Sequence, residues 1–187
     1  YGGPEVLIHT EVARPIPKDN EVLIQIKATS VTAASVFMRS GMPYFGRLFT
    51  GLRKPKVKIQ GTDLAGTIVA IGNNVQRYTI GDKVIASTDL NCGAYAEYIC
   101  LAEDGLIVPQ PHNMTAAEAT GMIDGATTAL SFFRDSIQLK KGQKVLINGA
   151  SGSIGTAAIQ LAKYFETEVT AVCSGKNEAL VRSLGAD

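Results

Sequence analysis

Lys144-Val145-Leu146-Ile147-Asn148-Gly149-Ala150-Ser151-Gly152-Ser153-Ile154-Gly155 is the stretch on which the reading of this chain turns. The apolar run 144–148 has the length and composition of a strand covered on both faces. It runs directly into glycines at 149, 152 and 155. Beyond them Ile154, Ala158, Leu161, Ala162 and Phe165 share one face of a helix. Glu168-Val169-Thr170-Ala171-Val172 then reads as a second strand. Glycine at these spacings permits a tight turn, close approach of a pyrophosphate and tight packing of helix on strand. The free N–H groups and positive dipole end of the helix favour phosphate charge. Ser151 and Ser153 add hydroxyl donors. A glycine-rich stretch alone is as readily a flexible loop, but strand, glycines, helix and second strand in this order make a nucleotide-binding βαβ unit. The expected cofactor-binding residues are therefore Gly149, Ser151, Gly152, Ser153, Ile154 and Gly155.

The end of the second strand bears on which nucleotide. An NAD site places Asp or Glu there for the ribose 2′-OH. This chain has Val172-Cys173-Ser174-Gly175-Lys176, a hydroxyl and a cation with no carboxylate. Ser174 and Lys176 suit a 2′-phosphate, so NADPH is expected ahead of NADH. The plainer alternative for Lys176 is a solvated surface lysine. Asn177 is placed to cap a last short helix that ends at Gly185.

Upstream, Thr115-Ala116-Ala117-Glu118 has capping-box spacing. The helix that it opens runs toward Phe133, with Gly121 and Gly125 as expected interruptions. Residues 1 to about 110 follow a different pattern, of period two. In 21–28, Val22, Ile24, Ile26 and Ala28 fall on one face. Further strands are expected at 67–71, 83–86, 95–101 and 106–108, separated by glycine- and asparagine-rich turns. Many short strands with such turns point to a closed or partly closed barrel.

Composition removes other classes. The chain has 187 residues and a formal net charge of +1, which excludes a broad basic footprint for nucleic acid or anionic membrane. No apolar run approaches the roughly 18 residues of a membrane span, and no charged-then-apolar leader is visible. Three cysteines far apart make no disulfide framework. A cytoplasmic protein is expected.

These marks, taken in order, resemble the medium-chain dehydrogenase/reductase superfamily, in its zinc-independent quinone oxidoreductase-like branch. They are Gly3–Leu7, Asn20–Ile24, Gly61-Thr62-Asp63-Leu64-Ala65-Gly66, Gly81–Val84, Gly93–Tyr98, Thr128-Ala129-Leu130, Gly149–Gly152 and Leu184–Asp187. The resemblance covers the whole chain. It implies a mixed α/β plus β architecture: a GroES-like, partly open β-barrel catalytic domain over 1–112, then a Rossmann doubly wound parallel sheet over 113–187. Such a sheet has six strands, and only two are recognisable here. The chain is therefore expected to be an incomplete copy, trimmed at its opening hairpin as well, holding only the pyrophosphate and ribose end of the cofactor site and inactive alone. The resemblance also implies that Thr128 lies near the nicotinamide and that the complete protein is a homodimer. An ordinary helix threonine bonding its own backbone is the alternative for Thr128.

Zinc members of the superfamily carry a Cys in the segment matching 31–35 and a His next to the glycine matching Gly61. Here 31–35 is Val-Thr-Ala-Ala-Ser, and Thr62 stands in place of the His. A catalytic zinc needs about three protein ligands, and Cys92, Cys100, His9 and His112 do not cluster in sequence, so no metal is expected. Without a Lewis acid, quinones and α,β-unsaturated carbonyls are the easier acceptors. Substrate-side candidates are Thr32, Tyr44, Asp63 and Tyr95, none of them assigned as a catalytic base. Asp63 is equally read as bracing a turn, and Tyr44, Phe45 and Phe49 as apolar packing. Between Val36 and Gln60 stand six basic residues and no acid, interleaved with aromatics. A nucleic-acid strip is one reading; a solvated loop is preferred. The expected partner is a small-molecule carbonyl or quinone. A zinc-free alcohol dehydrogenase, or a non-catalytic binding or structural member of the fold, is the alternative.

Overall fold

The computed structural model describes residues 1–187, with every side chain except that of Leu90. The chain divides into two units, Tyr1–Thr120 and Gly121–Asp187. In the first unit, aliphatic and β-branched residues build five strands: β1 (Glu21–Thr29), β2 (Asp63–Ile71), β3 (Lys83–Ser87), β4 (Tyr98–Ala102) and β5 (Ile107–Pro109). They form one antiparallel sheet in the order β4-β1-β2-β3-β5. The outer strands β4 and β5 do not pair with each other, so this sheet stays open rather than closing into a barrel.

Its core is Val22, Ile24, Leu64, Ile68, Val84 and Ile107, all nearly or wholly buried. Strict alternation along β1 fails in one respect: Leu23 is buried beside Val22 and Ile24, and Ile26 is only half-buried. The register against β2 slips between Leu23 and Ile24 and again between Ile26 and Ala28. Each slip turns the following residues relative to the sheet face. Strand β2 begins at Asp63, four residues before the sequence expectation, because Asp63 and Leu64 are already paired with Ser87 and Ala86. Two short helices, α1 (Ala33–Ser40) and α2 (Arg47–Thr50), lie between β1 and β2.

Helix α3 (Ala116–Ser131) opens on the expected capping box. The Thr115 N–H donates to Glu118 Oε2 at 2.8 Å and the Glu118 N–H to Thr115 Oγ1 at 3.3 Å. That backbone donor at Thr115 holds the Glu118 carboxyl below the usual range. The glycines do not interrupt this helix, as the sequence reading expected; α3 passes through Gly121 and Gly125 and ends in a π-helical turn, Phe132–Ser136. Gly125 has a packing reason: a side-chain carbon there would stand 2.6 Å from the Ser153 carbonyl oxygen.

The second unit holds β6 (Lys144–Asn148), α4 (Ser153–Tyr164), β7 (Glu168–Val172) and α5 (Glu178–Ser183). Strands β6 and β7 are parallel, with Val145 opposite Val169 and Ile147 opposite Ala171. That face packs on Ala158, Ile159 and Ala162 of α4 and Val181 of α5. The other face is not covered within this unit, contrary to the expectation of a strand buried on both sides: Leu146 is 68% exposed. The Asp187 carboxylate accepts the Val169 N–H at 2.7 Å and pairs with Lys163, which together hold it below the usual carboxylate range. Among the described residues no helix is long and apolar enough to cross a membrane.

Truncating Leu64, which is fully buried, to Ala should destabilise the first unit by about 2–5 kcal/mol. Urea unfolding followed by circular dichroism measures the loss.

Candidate functional site

In the second unit the glycines make the tight turn and the close helix-on-turn packing that the sequence reading expected of them. Gly149 leaves β6 at φ +73°, in the left-handed region. The Gly152 N–H donates to the Gly149 carbonyl at 3.0 Å and closes the turn. The Ala150 N–H donates to the Val172 carbonyl at 3.0 Å and ties the turn to the end of β7. Gly152 then stands at the N-cap of α4 with no side-chain cap. The first-turn N–H groups of Ser153, Ile154 and Gly155 have no acceptor within the helix. Gly155 is buried against the turn, and a side-chain carbon there would lie 2.6 Å from the Ala150 Cα. Gly152, Ser153 and Ile154 are exposed and Ser151 half-buried. Backbone donors and two hydroxyls at the positive end of a helix suit a pyrophosphate, so these residues fit the phosphates of a dinucleotide.

Ser174 and Lys176 lie in the turn after β7, both exposed. Arg134, Lys141, Lys144, Lys163 and Arg182 each pair with a carboxylate. Among the described residues of this unit Lys140 and Lys176 have no such partner, and only Lys176 lies in the turn after β7. The nearest acid along the chain, Glu178, is engaged by Arg182 at 3.0 Å. A cation without a counter-ion, beside a hydroxyl, suits a phosphate dianion. Thr128 is half-buried on α3, one helical turn beyond Gly125 and on the same face, and Gly125 touches the first residue of α4.

Three of the four substrate-side candidates in the first unit are engaged in local structure. The Thr32 hydroxyl accepts the Ser35 N–H at 3.3 Å and caps α1. The Tyr95 hydroxyl donates to the Ser30 carbonyl at 3.1 Å. Asp63 is 3% exposed and accepts the Ser30 hydroxyl at 3.1 Å, while its backbone carbonyl accepts the Thr29 hydroxyl at 2.8 Å. Ser30, absent from the sequence reading, thus links the Tyr95 and Asp63 positions, through its backbone carbonyl to the one and its hydroxyl to the other; nothing in its local sequence marked it. Tyr44 differs. Its ring is 68% exposed and faces the Arg47 guanidinium at 4.8 Å, and its hydroxyl makes no hydrogen bond among the described residues. Phe45 and Phe49 are 71% and 79% exposed, so the alternative of apolar packing for this segment is not met within the unit.

Among the described residues no three His, Cys, Asp or Glu side chains gather where a metal would sit. Cys92 is buried with its thiol 3.8 Å from the Met38 sulfur. Burial first, and nearby carboxylates second, push the Cys92 and Cys100 thiols up, away from the thiolate form that binds metal.

The model of the alcohol dehydrogenase GroES-like domain matches residues 18–112. The chloroplast envelope quinone oxidoreductase homolog of Arabidopsis thaliana is 37% identical over 194 aligned residues, which cover all of this chain and 56% of that protein. The solved quinone oxidoreductase of Coxiella burnetii superposes with a TM-score of 0.88 at 29% identity, covering 100% of this chain and 58% of that one. The enoyl reductase JamJ superposes at 0.89 and 28% identity, covering 100% and 56%. The chain belongs to the alcohol dehydrogenase GroES-like family, in the quinone oxidoreductase-like branch of the medium-chain dehydrogenase/reductase superfamily. It spans about half the length of the curated relatives it matches.

Replacing Gly155 with Val should force α4 off the 149–150 turn and cost about 1–3 kcal/mol. The loss should appear as a lower unfolding midpoint together with weaker nucleotide binding by calorimetry.

Proposed function

We propose that this chain contributes to an NADPH-dependent oxidoreductase that reduces quinones or α,β-unsaturated carbonyls without zinc. In this reading residues 113–187 serve as the dinucleotide-binding part and 1–112 as the catalytic part. The observation that carries the cofactor assignment is Lys176, exposed beside Ser174 at the end of β7, without a counter-ion and with Glu178 held by Arg182. An acid at that place would accept a ribose hydroxyl and repel a 2′-phosphate; a free cation does the opposite. The pyrophosphate would rest on Gly149, Gly152, the N–H groups of Ser153, Ile154 and Gly155, and the hydroxyls of Ser151 and Ser153. The reducing equivalent comes with the cofactor, as hydride from its nicotinamide ring; Thr128 is assigned to that ring's neighbourhood.

The substrate class rests on two supports. Relatives and structural neighbours are described as quinone oxidoreductases and enoyl reductases. The first unit also offers no ligand set for a Lewis acid among its described residues, which favours acceptors whose carbon is already electron-poor. The enolate or quinol oxygen formed on hydride addition needs a hydrogen-bond donor. The Tyr95 hydroxyl gives its hydrogen to the Ser30 carbonyl and Asp63 is a buried acceptor, while the Thr32 hydroxyl accepts the Ser35 N–H and stands 3.4 Å from Ser35 Oγ. Tyr44 has its hydroxyl free for this role.

ADP-ribose and 2′-phospho-ADP-ribose separate the cofactor readings, since they differ only in the 2′-phosphate. The chain should bind the phosphorylated probe more tightly, and Lys176→Ala should remove roughly tenfold of that preference. Equal binding, or a preference for ADP-ribose, would sink the NADPH assignment. In the natural full-length protein, Tyr44→Phe should lower kcat for enone reduction by about 10²-fold with NADPH affinity unchanged. Unchanged kcat would remove Tyr44 from the reaction, and cofactor binding without turnover on a broad quinone and enone panel would favour a non-catalytic member of the fold.

A further inference from the structure

Asn177 is at the N-cap position of α5, where an asparagine ordinarily turns its side-chain oxygen onto a free N–H of the first turn. Here the side chain makes no capping bond, contrary to the sequence expectation. Its Nδ2 donates instead to Ser151 Oγ at 2.9 Å, across 26 residues of sequence, in a half-buried setting. This is the side-chain bond, among the described residues, between the two turns that carry the nucleotide-binding candidates. Asn177 thus leaves the first turn of its own helix uncapped and holds the glycine-rich turn.

The consequence for Ser151 follows from hydroxyl chemistry. A serine hydroxyl has two lone pairs and one hydrogen to give. With the Asn177 amide on one lone pair, the hydroxyl hydrogen must point away from Asn177, and no acceptor for it stands among the described residues. Ser151 is thereby left as a pre-oriented donor at the positive end of α4. The same bond fixes the spacing between that turn and Ser174–Lys176. We propose that Asn177 is a positioning residue for the nucleotide phosphates: it aims the Ser151 hydroxyl hydrogen at the pyrophosphate and sets the distance from there to the 2′-phosphate residues. This rests on the nucleotide-binding reading above.

The test is equilibrium binding of ADP-ribose and 2′-phospho-ADP-ribose to the full chain, with the thermal midpoint recorded for each variant. Asn177→Ala and Ser151→Ala should each weaken ADP-ribose roughly three- to tenfold. The double variant should bind ADP-ribose no more weakly than Ser151→Ala alone, because one acts through the other. Asn177→Ala should weaken the phosphorylated probe further, since the spacing is lost as well. Asn177→Asp separates positioning from folding. Asp can cap the first turn of α5, which Asn177 leaves uncapped, but cannot donate to Ser151, so its thermal midpoint should not fall while binding of both probes drops at least as far as in Asn177→Ala. Binding by Asn177→Asp within twofold of wild type, or independent, multiplying effects of the two alanine variants, would overturn the proposal while leaving the nucleotide reading intact. Failure of the wild-type chain to bind either probe would overturn both.

Discussion

The second unit depends on one close approach, the backbone of Gly155 lying on the turn at Gly149 and Ala150. Because no side chain intervenes, the first turn of α4 starts immediately beyond the turn that leaves β6. Helix α4 is then placed to bury Ala158, Ile159 and Ala162 on the inner face of β6 and β7. A methyl group at 155 would separate helix from turn, and both the small core and the first-turn N–H groups would move together. Stability and the proposed nucleotide site share a single constraint here.

The first unit shows the opposite arrangement. Its sheet is held by ordinary aliphatic packing, and the polar groups at the start of β2 are braced rather than exposed. Ser30, Asp63 and Tyr95 hold one another through a chain of hydrogen bonds, with Thr29 added on the Asp63 carbonyl. Buried polar groups carry a penalty unless each has a partner, and Asp63 meets that requirement locally. The consequence is chemical: the Tyr95 hydroxyl, which looked available from its residue type alone, gives its hydrogen to a backbone carbonyl. What remains open is the segment of α1 and α2, where Tyr44, Phe45 and Phe49 face outward and Arg47 lies against the Tyr1 and Tyr44 rings.

Much of this was legible in the residues. Strands 144–148 and 168–172 appear with the bounds expected, because a short apolar run ended by glycine leaves the backbone little choice. The capping box at Thr115 and Glu118 is equally local and equally faithful. Local reasoning failed where long-range contact decided. Gly125 was read as a break in a helix, whereas its lack of a side chain is what lets α3 meet Ser153. Leu146 was read as buried from its hydrophobicity, yet only one face of the β6–β7 pair is covered within its unit. The slips in register that bury Leu23 beside Ile24 arise from pairing with β2 and leave no trace in the alternation itself.

The sequence by itself determined the order of the elements, the glycine-rich turn and the absence of an acid after β7, since each follows from backbone freedom or charge within a few residues. Tertiary structure alone decided which polar groups are still free to act. Tyr95 and Asp63 are engaged, Thr32 caps α1, Lys176 has no ion-pair partner among the described residues, and Asn177 bonds Ser151 rather than capping its own helix. The physical reason is that a hydrogen bond needs its donor and acceptor within about 3 Å, and residues 26 or 65 positions apart in the chain reach that distance only through folding.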